Sequence, residues 1–143
     1  MSLEMKRLRL IWWLPAYQWL AGLCDTATGA LLLVAPARTL KIMGVHEVPQ
    51  PIQFVSFIGA FVLAVGLTYL YAARLPLVSA NTARWQTVWI LTALSRSLVA
   101  IFLTSQIVTG KMERAWLAVA ATDGALAILQ WTGLRCGWLN FKD

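Results

Sequence analysis

The chain has 143 residues, of which 59% are hydrophobic and only 13% charged, and its mean hydropathy is +0.68. A soluble globular domain has about 25% charged residues, so this composition argues against a soluble protein and predicts one all-α integral membrane domain over residues 1–143. The net charge of +6 comes from Lys and Arg at the ends of apolar runs, which is typical of membrane flanks. We therefore expect the lipid bilayer, and no nucleic acid, as a partner.

The first apolar run extends from Leu10 to Val34 and follows a short basic segment. Residues 35–37 have the small-x-small form of a signal-peptide cleavage site, but a signal-peptide core has only about 7–15 residues. Because about 20 apolar residues suffice to cross a bilayer, we expect a retained transmembrane span over residues 10–34. Aromatic residues near its start would form an interfacial belt: Trp12, Trp13, Tyr17 and Trp19.

A segment too short and too polar to span the membrane follows Pro36, which should end the first helix. Residues 37–43 are partly apolar and predict a short interfacial helix, which Gly44 would terminate. His46 is the one histidine of the chain. A single histidine in a loop is usually solvated, so we predict no metal site.

Three further apolar runs cover residues 52–73, 85–108 and 115–134. In the second run, Gly59 and Gly66 lie seven residues apart and so share one helix face, to which Ala60 and Ala64 would add. Small residues on such a face let helices approach closely in lipid, so we expect Gly59 and Gly66 to pack against a neighbouring helix. The pattern predicts an up-and-down four-helix bundle, with the short interfacial helix between the first two spans.

Arg96 lies inside the third run, where a charge costs about 2.5 kcal/mol or more to insert. Helix geometry places Asp25 roughly 22 Å and Arg96 roughly 18 Å from one membrane boundary, and Asp123 roughly 15 Å from the other, at 1.5 Å per residue. All three therefore approach the middle of a core about 30 Å thick. We expect them to form a buried polar centre.

This centre has two interpretations. Arg96 could bind both Asp25 and Asp123 and so connect their helices, since a guanidinium can bind two carboxylates at once. Alternatively, the formal charge of −1 could mark a pocket for a proton, an ion or a small ligand, because intramembrane charges are functional candidates by default. Both interpretations remain open at this stage.

The distribution of basic residues predicts the orientation of the domain. With four spans both termini lie on one side, and that side carries seven Lys and Arg residues: Lys6, Arg7, Arg9, Arg74, Arg84, Arg135 and Lys142. The opposite side carries four: Arg38, Lys41, Lys111 and Arg114. The positive-inside rule then puts both termini in the cytoplasm. The expected location is a bacterial inner membrane.

Sequence motifs for chemistry are missing. There is no HExxH, no phosphate-binding loop and no nucleophile with a base, so we predict no catalytic residue and no cofactor. Cys24 and Cys136 should differ in depth by roughly 20 Å, which forbids a disulfide between them. No histidine lies in any span, which excludes intramembrane histidine ligation of a haem.

A set of small, proline and leucine positions runs from Asp25 to Gly66, and Asp123 falls in the last span. The set comprises Asp25, Gly29, Leu31–Leu33, Pro36, Leu40, Met43–Gly44, Pro51, Gly59–Ala60 and Gly66. It resembles the pattern of the DoxX-like superfamily of small four-helix membrane proteins. That resemblance implies the fold, and some relatives are subunits of quinone-linked sulfur oxidoreductases.

Two functions fit these observations. The first is a non-catalytic accessory subunit of a larger membrane complex, of a respiratory or photosynthetic electron-transfer type, in contact with other integral membrane subunits. The alternative is a membrane protein that binds a small ligand, a quinone or a proton at Asp25, Arg96 and Asp123. An enzyme is the least supported function because the chain offers no catalytic motif.

Overall fold

The computed structural model describes residues 3–141, with side chains described from residue 13 onward. All of its regular elements are helices: α1 (Leu3–Val34), α2 (Pro36–Ile42), α3 (Gln53–Ala73), α4 (Thr82–Val108) and α5 (Leu117–Arg135). Short 3-10 turns at Ser79–Asn81 and Arg114–Trp116 lead into α4 and α5. The part of the chain that is described contains no β-strand. The all-helical prediction is therefore confirmed.

Within the described part of the chain, three helical segments are long and apolar enough to cross a membrane: Gln53–Ala73, Ser79–Val108 and Arg114–Arg135. Their mean hydropathies are 2.0, 1.7 and 1.3. The described part of α1 is not one of these segments. It carries Gln18, Asp25 and three threonine or tyrosine side chains, which lower its hydropathy.

Element boundaries differ from the sequence prediction mainly in and around α1. This helix begins at Leu3 and not near residue 10, so the basic N-terminal segment is helical in its backbone. The side chains of that segment, together with Trp12 and Lys142, lie outside the described residues. Helix α1 ends at Val34, before Pro36. Pro36 is itself the first residue of α2, a position where the missing backbone N–H of proline is tolerated. Gly44 has a φ of +82°, the left-handed conformation expected just after a helix.

Helices α1 and α3 pack antiparallel with their backbones in contact. A Cβ added at Gly59 would lie 2.7 Å from Leu32 Cβ, and one at Gly66 would meet the backbone of Thr26. Gly29 of α1 lies equally close to the backbone of Leu63. Glycines from both helices thus permit this close approach, as small residues do in helix pairs within lipid.

The face of α3 that small residues form is narrower than we predicted from the sequence. Ala60 and Ala64 are exposed and do not face α1. Each residue turns a helix by about 100°, so Ala60 points well away from Gly59, and Ala64 lies five residues on, which is not a same-face spacing. The complementary glycines are found in α1 instead.

Helices α4 and α5 form the second antiparallel pair, in which large side chains fit against small ones. Gly133 of α5 lies against the indoles of Trp89 and Trp138, and an added Cβ would come within 2.6 Å of Trp138 Cε3. Trp131 Nε1 donates a hydrogen bond of 3.2 Å to Ser97 Oγ across the same interface.

Long side chains join the two helix pairs, and an apolar cluster lies near each end of the molecule. One cluster contains Leu14, Trp85, Trp89 and Leu139. The other contains Leu32, Leu40, Val45 and Val55, so α2 packs across the ends of α1 and α3 through Leu40. Polar side chains occupy the interior between these clusters.

Candidate functional site

Arg96 lies at the centre of the molecule and contacts the three other long helices. Its Nη2 donates to Asp25 Oδ2 of α1, and its Nη1 donates to Asp123 Oδ1 of α5. Its Nε donates to the hydroxyl of Tyr69 in α3, with a distance of 3.0 Å. We call these four residues the charged clamp. The structure thus brings together the three charged residues that the sequence analysis singled out, and adds a tyrosine.

Tyr69 is a member of the site that the sequence analysis did not single out. The structure buries Tyr69 completely, with its ring 5.4 Å from the guanidinium carbon of Arg96. Tyr71, in contrast, is 52% exposed. The signal was the helix periodicity, because Tyr69 lies three residues after Gly66 and therefore on the same inward face.

The charged clamp is nearly closed to its surroundings. Arg96 is 6% exposed, and the side chains of Asp25 and Asp123 are 19% and 15% exposed. Each of the three guanidinium nitrogens has a protein partner on a different helix. Charge-assisted bonds of this kind are about twice as strong as neutral ones. The arrangement can therefore fix four helices relative to one another, and it leaves no guanidinium nitrogen without a protein partner.

A second polar group lies two helical turns from the charged clamp. Trp89 Nε1 donates to Gln18 Oε1 at 3.0 Å, and Gln130 Nε2 donates to Thr92 Oγ1 at 2.7 Å. We call Gln18, Trp89, Thr92 and Gln130 the amide layer. Both glutamines are completely buried.

The amide layer repeats the spacing of the charged clamp. Gln18 precedes Asp25 by seven residues, Trp89 precedes Arg96 by seven, and Gln130 follows Asp123 by seven. Because α5 runs opposite to α1 and α4, all three shifts point toward the same end of the molecule. The two layers are therefore about 10 Å apart along the helices, at 1.5 Å per residue. None of the four residues of the amide layer was singled out from the sequence; the shared seven-residue spacing is the signal that would have revealed the layer.

A third polar contact ties two connecting segments together outside the spans. The carboxylate of Glu113 accepts hydrogen bonds from the backbone N–H groups of His46, at 3.1 Å, and Glu47. These bonds favour the ionised carboxylate, so the pKa of Glu113 is lowered. The connection between α2 and α3 is thereby joined to the turn before α5.

Other candidate sites carry little chemistry. Within the described residues, no cluster of His, Cys, Asp or Glu could hold a metal ion. Cys24 and Cys136 are both free and exposed. An open depression of about 470 Å³ lies on the outer face of α5 beside Trp131 and Arg135, and none of its lining residues belongs to the charged clamp or the amide layer.

A scan of protein-family models, a search of curated proteins and a search of solved structures each give no match for the chain. The DoxX-like resemblance therefore stays a prediction from the sequence.

Proposed function

We propose that this chain is a non-catalytic accessory subunit of a larger complex of integral membrane proteins. The observation that carries the proposal is the pairing of Arg96, each of whose three guanidinium nitrogens is bound to a protein group on a different helix. Three of the five guanidinium N–H donors are directed to α1, α3 and α5, an arrangement that favours joining helices over binding a substrate. Its role is then to hold the four long helices together.

The outer surface of α3 supports contact with lipid and with other apolar helices. Phe54, Phe57 and Phe61 are 64%, 61% and 59% exposed, and Ile58 between them is 50% exposed. We call these four residues the aromatic ridge. Exposed apolar patches of this kind are rare on soluble monomers and mark membrane or protein contacts. Phe57 and Phe61 also stack edge to face, with their ring centroids 4.8 Å apart, which gives the ridge a fixed shape.

In this proposal α1 is the fourth membrane span of an up-and-down bundle. Its polar residues Gln18 and Asp25 lower its hydropathy, but both are bonded to α4 in the interior. Its outward positions are apolar: Leu20, Leu23 and Leu31 are 67%, 54% and 53% exposed. A helix with its polar side chains directed inside and leucines outside is compatible with a lipid environment. The short helix α2 then lies at the membrane interface.

The orientation follows from the basic residues at the two ends of the helices. Arg74, Arg84 and Arg135 lie at one end, which we place in the cytoplasm together with both termini. The location proposed is the inner membrane of a bacterium. The bilayer and the neighbouring membrane subunits are the partners, and the proposal requires no cofactor.

Purification in a mild detergent tests the accessory role. We expect the protein to co-purify with other integral membrane proteins, and the double change Phe57→Ala and Phe61→Ala to reduce that association. Ile128→Ala is the matched control, since Ile128 is 69% exposed on α5 and lies outside the aromatic ridge. A wild-type protein isolated as a stable monomer that carries out an activity by itself would contradict the proposal.

A second candidate function is the binding of a proton, a quinone or another small ligand at the charged clamp. It is supported by the formal charge of −1 and by the partial exposure of the two carboxylates, 19% and 15%. A titration of the purified protein with a soluble quinone, monitored by tryptophan fluorescence, tests the quinone version. Saturable quenching that Asp25→Asn abolishes would favour this function over the purely structural one.

A further inference from the structure

The amide layer contains two completely buried side chains that are each only half paired. The Nε2 of Gln18 and the Oε1 of Gln130 have no hydrogen-bond partner, although both residues are 0% exposed. Buried polar groups in native proteins are almost always paired, and where protein groups are lacking the partner is commonly an internal water. Such atoms indicate where a small polar molecule can bind, and the bonds of Gln18 to Trp89 and of Gln130 to Thr92 bring both amides to the same level of α4.

The hydrogen bonds of the neighbouring side chains define which atom of each amide stays unpaired. The indole Nε1 of Trp89 can only donate, so the atom of Gln18 that it contacts is the carbonyl oxygen. Thr92 donates its hydroxyl to the carbonyl of Val88, at 2.8 Å, and so accepts from the amide nitrogen of Gln130. What remains is an unpaired N–H₂ group on Gln18, with two donors, and an unpaired carbonyl oxygen on Gln130.

A ligand for both atoms must accept one hydrogen bond and donate another, which is the property of a hydroxyl group. A quinone or ketone carbonyl would serve Gln18 but would set an acceptor against the carbonyl of Gln130. A metal cation would serve only Gln130. The complete burial of both glutamines favours the smallest hydroxyl compound, since a water needs only about one probe sphere of space and two to four polar partners.

We propose that the amide layer binds one internal water molecule, which accepts from Gln18 Nε2 and donates to Gln130 Oε1. Gln18 lies on α1 and Gln130 on α5, and their protein partners Trp89 and Thr92 lie one turn apart on α4. The water thus connects α1 to α5, the same two helices that Arg96 connects in the charged clamp. This inference concerns the interior of the bundle and goes beyond the accessory function.

Nuclear magnetic resonance of the full chain in detergent micelles tests the water directly. We expect a nuclear Overhauser effect between water and the side-chain N–H₂ of Gln18. The exposed amide of Gln86, which donates to Asn140 Oδ1 at 2.9 Å, is the control for contact with bulk water. In Gln130→Met the water loses its acceptor, so the effect at Gln18 should disappear. An absent effect in the wild type, or one that Gln130→Met leaves unchanged, would overturn the proposal.

A crystal structure at a resolution that shows ordered water provides a second test, which needs no variant. We expect one isolated density peak within about 2.7–3.2 Å of both Gln18 Nε2 and Gln130 Oε1. Direct contact between the two amides, or elongated density for the hydroxyl end of a lipid or quinol, would contradict a bound water.

Discussion

Replacement of Arg96 by leucine should destabilise the protein more than any other single change of a charged residue. The variant loses three interhelical hydrogen bonds, to Asp25, Tyr69 and Asp123. Such bonds average about 0.6 kcal/mol each in a membrane protein, so the lost bonds alone amount to about 2 kcal/mol. Two carboxylates are also left without their cation, and breaking a buried pair costs about 3–5 kcal/mol in soluble proteins. We expect a loss of about 2–5 kcal/mol in the free energy of unfolding.

The assay is reversible unfolding in mixed micelles, with membrane accumulation of the variant measured in parallel. Arg96→Lys should fall between wild type and Arg96→Leu, because lysine keeps the charge but cannot bind two carboxylates in the geometry of a guanidinium. Arg74→Leu is the control, since Arg74 is exposed beyond the end of α3. If Arg96→Leu unfolds within about 0.5 kcal/mol of the wild type, as surface changes do, Arg96 does not hold the helices together.

Four further predictions can be checked separately. Gly66→Leu should lower the thermal stability in detergent, because a side chain there meets the backbone of α1; an unchanged midpoint would show that α1 and α3 are not in backbone contact. Tyr69→Phe should lower the free energy of unfolding by about 0.6 kcal/mol, since it removes one interhelical hydrogen bond; equal stability would contradict that bond. The pKa of Glu113 is lowered in the folded state, so its contribution to stability is complete above the ordinary pKa of the carboxyl group and is lost as the pH falls through the lowered value. Glu113→Gln should therefore flatten the acid limb of a plot of stability against pH, and an identical limb would refute the contact. In a cysteine-free background, single cysteines at Ala80 and Lys111 should react with an impermeant thiol reagent from opposite faces of the membrane; labelling from one face would exclude the proposed topology.

The charged residues were the part of the site that sequence could indicate, because a charge inside an apolar run has few tolerable positions. Counting residues from the ends of the runs placed Asp25, Arg96 and Asp123 at similar depths, and they are in contact in the structure. The extents of α3, α4 and α5 were also predictable within about three residues, because apolar runs and the flanking turns define them. The start of α1 was not, since a charged segment can be helical without being apolar.

The other residues of the interior could not be predicted, because their positions depend on how each helix is rotated about its own axis. The extent of an apolar run does not define that rotation. Tyr69 lies near the end of an apolar run, where tyrosines are often interfacial, and its inward direction is evident only from its spacing to Gly66. Ala60 and Ala64 were placed on the packing face for their size alone, and the structure exposes both. Gln18 is an uncharged residue between aromatic ones, so its neighbours in the sequence did not indicate that it is buried.

The most direct test of the structural role compares Arg96→Leu with the double variant Arg96→Leu and Asp123→Leu, with membrane accumulation and partner co-purification measured side by side. Removal of both charges leaves less uncompensated charge in the interior, and apolar replacement of buried ion pairs is often neutral. We predict that the double variant accumulates better than the single variant and retains the partners of the wild type. A double variant that accumulates no better than the single one would contradict the ion-pair account. A double variant that accumulates normally but loses its partners or their activity would show that the charged clamp is a working site and not only a structural connection.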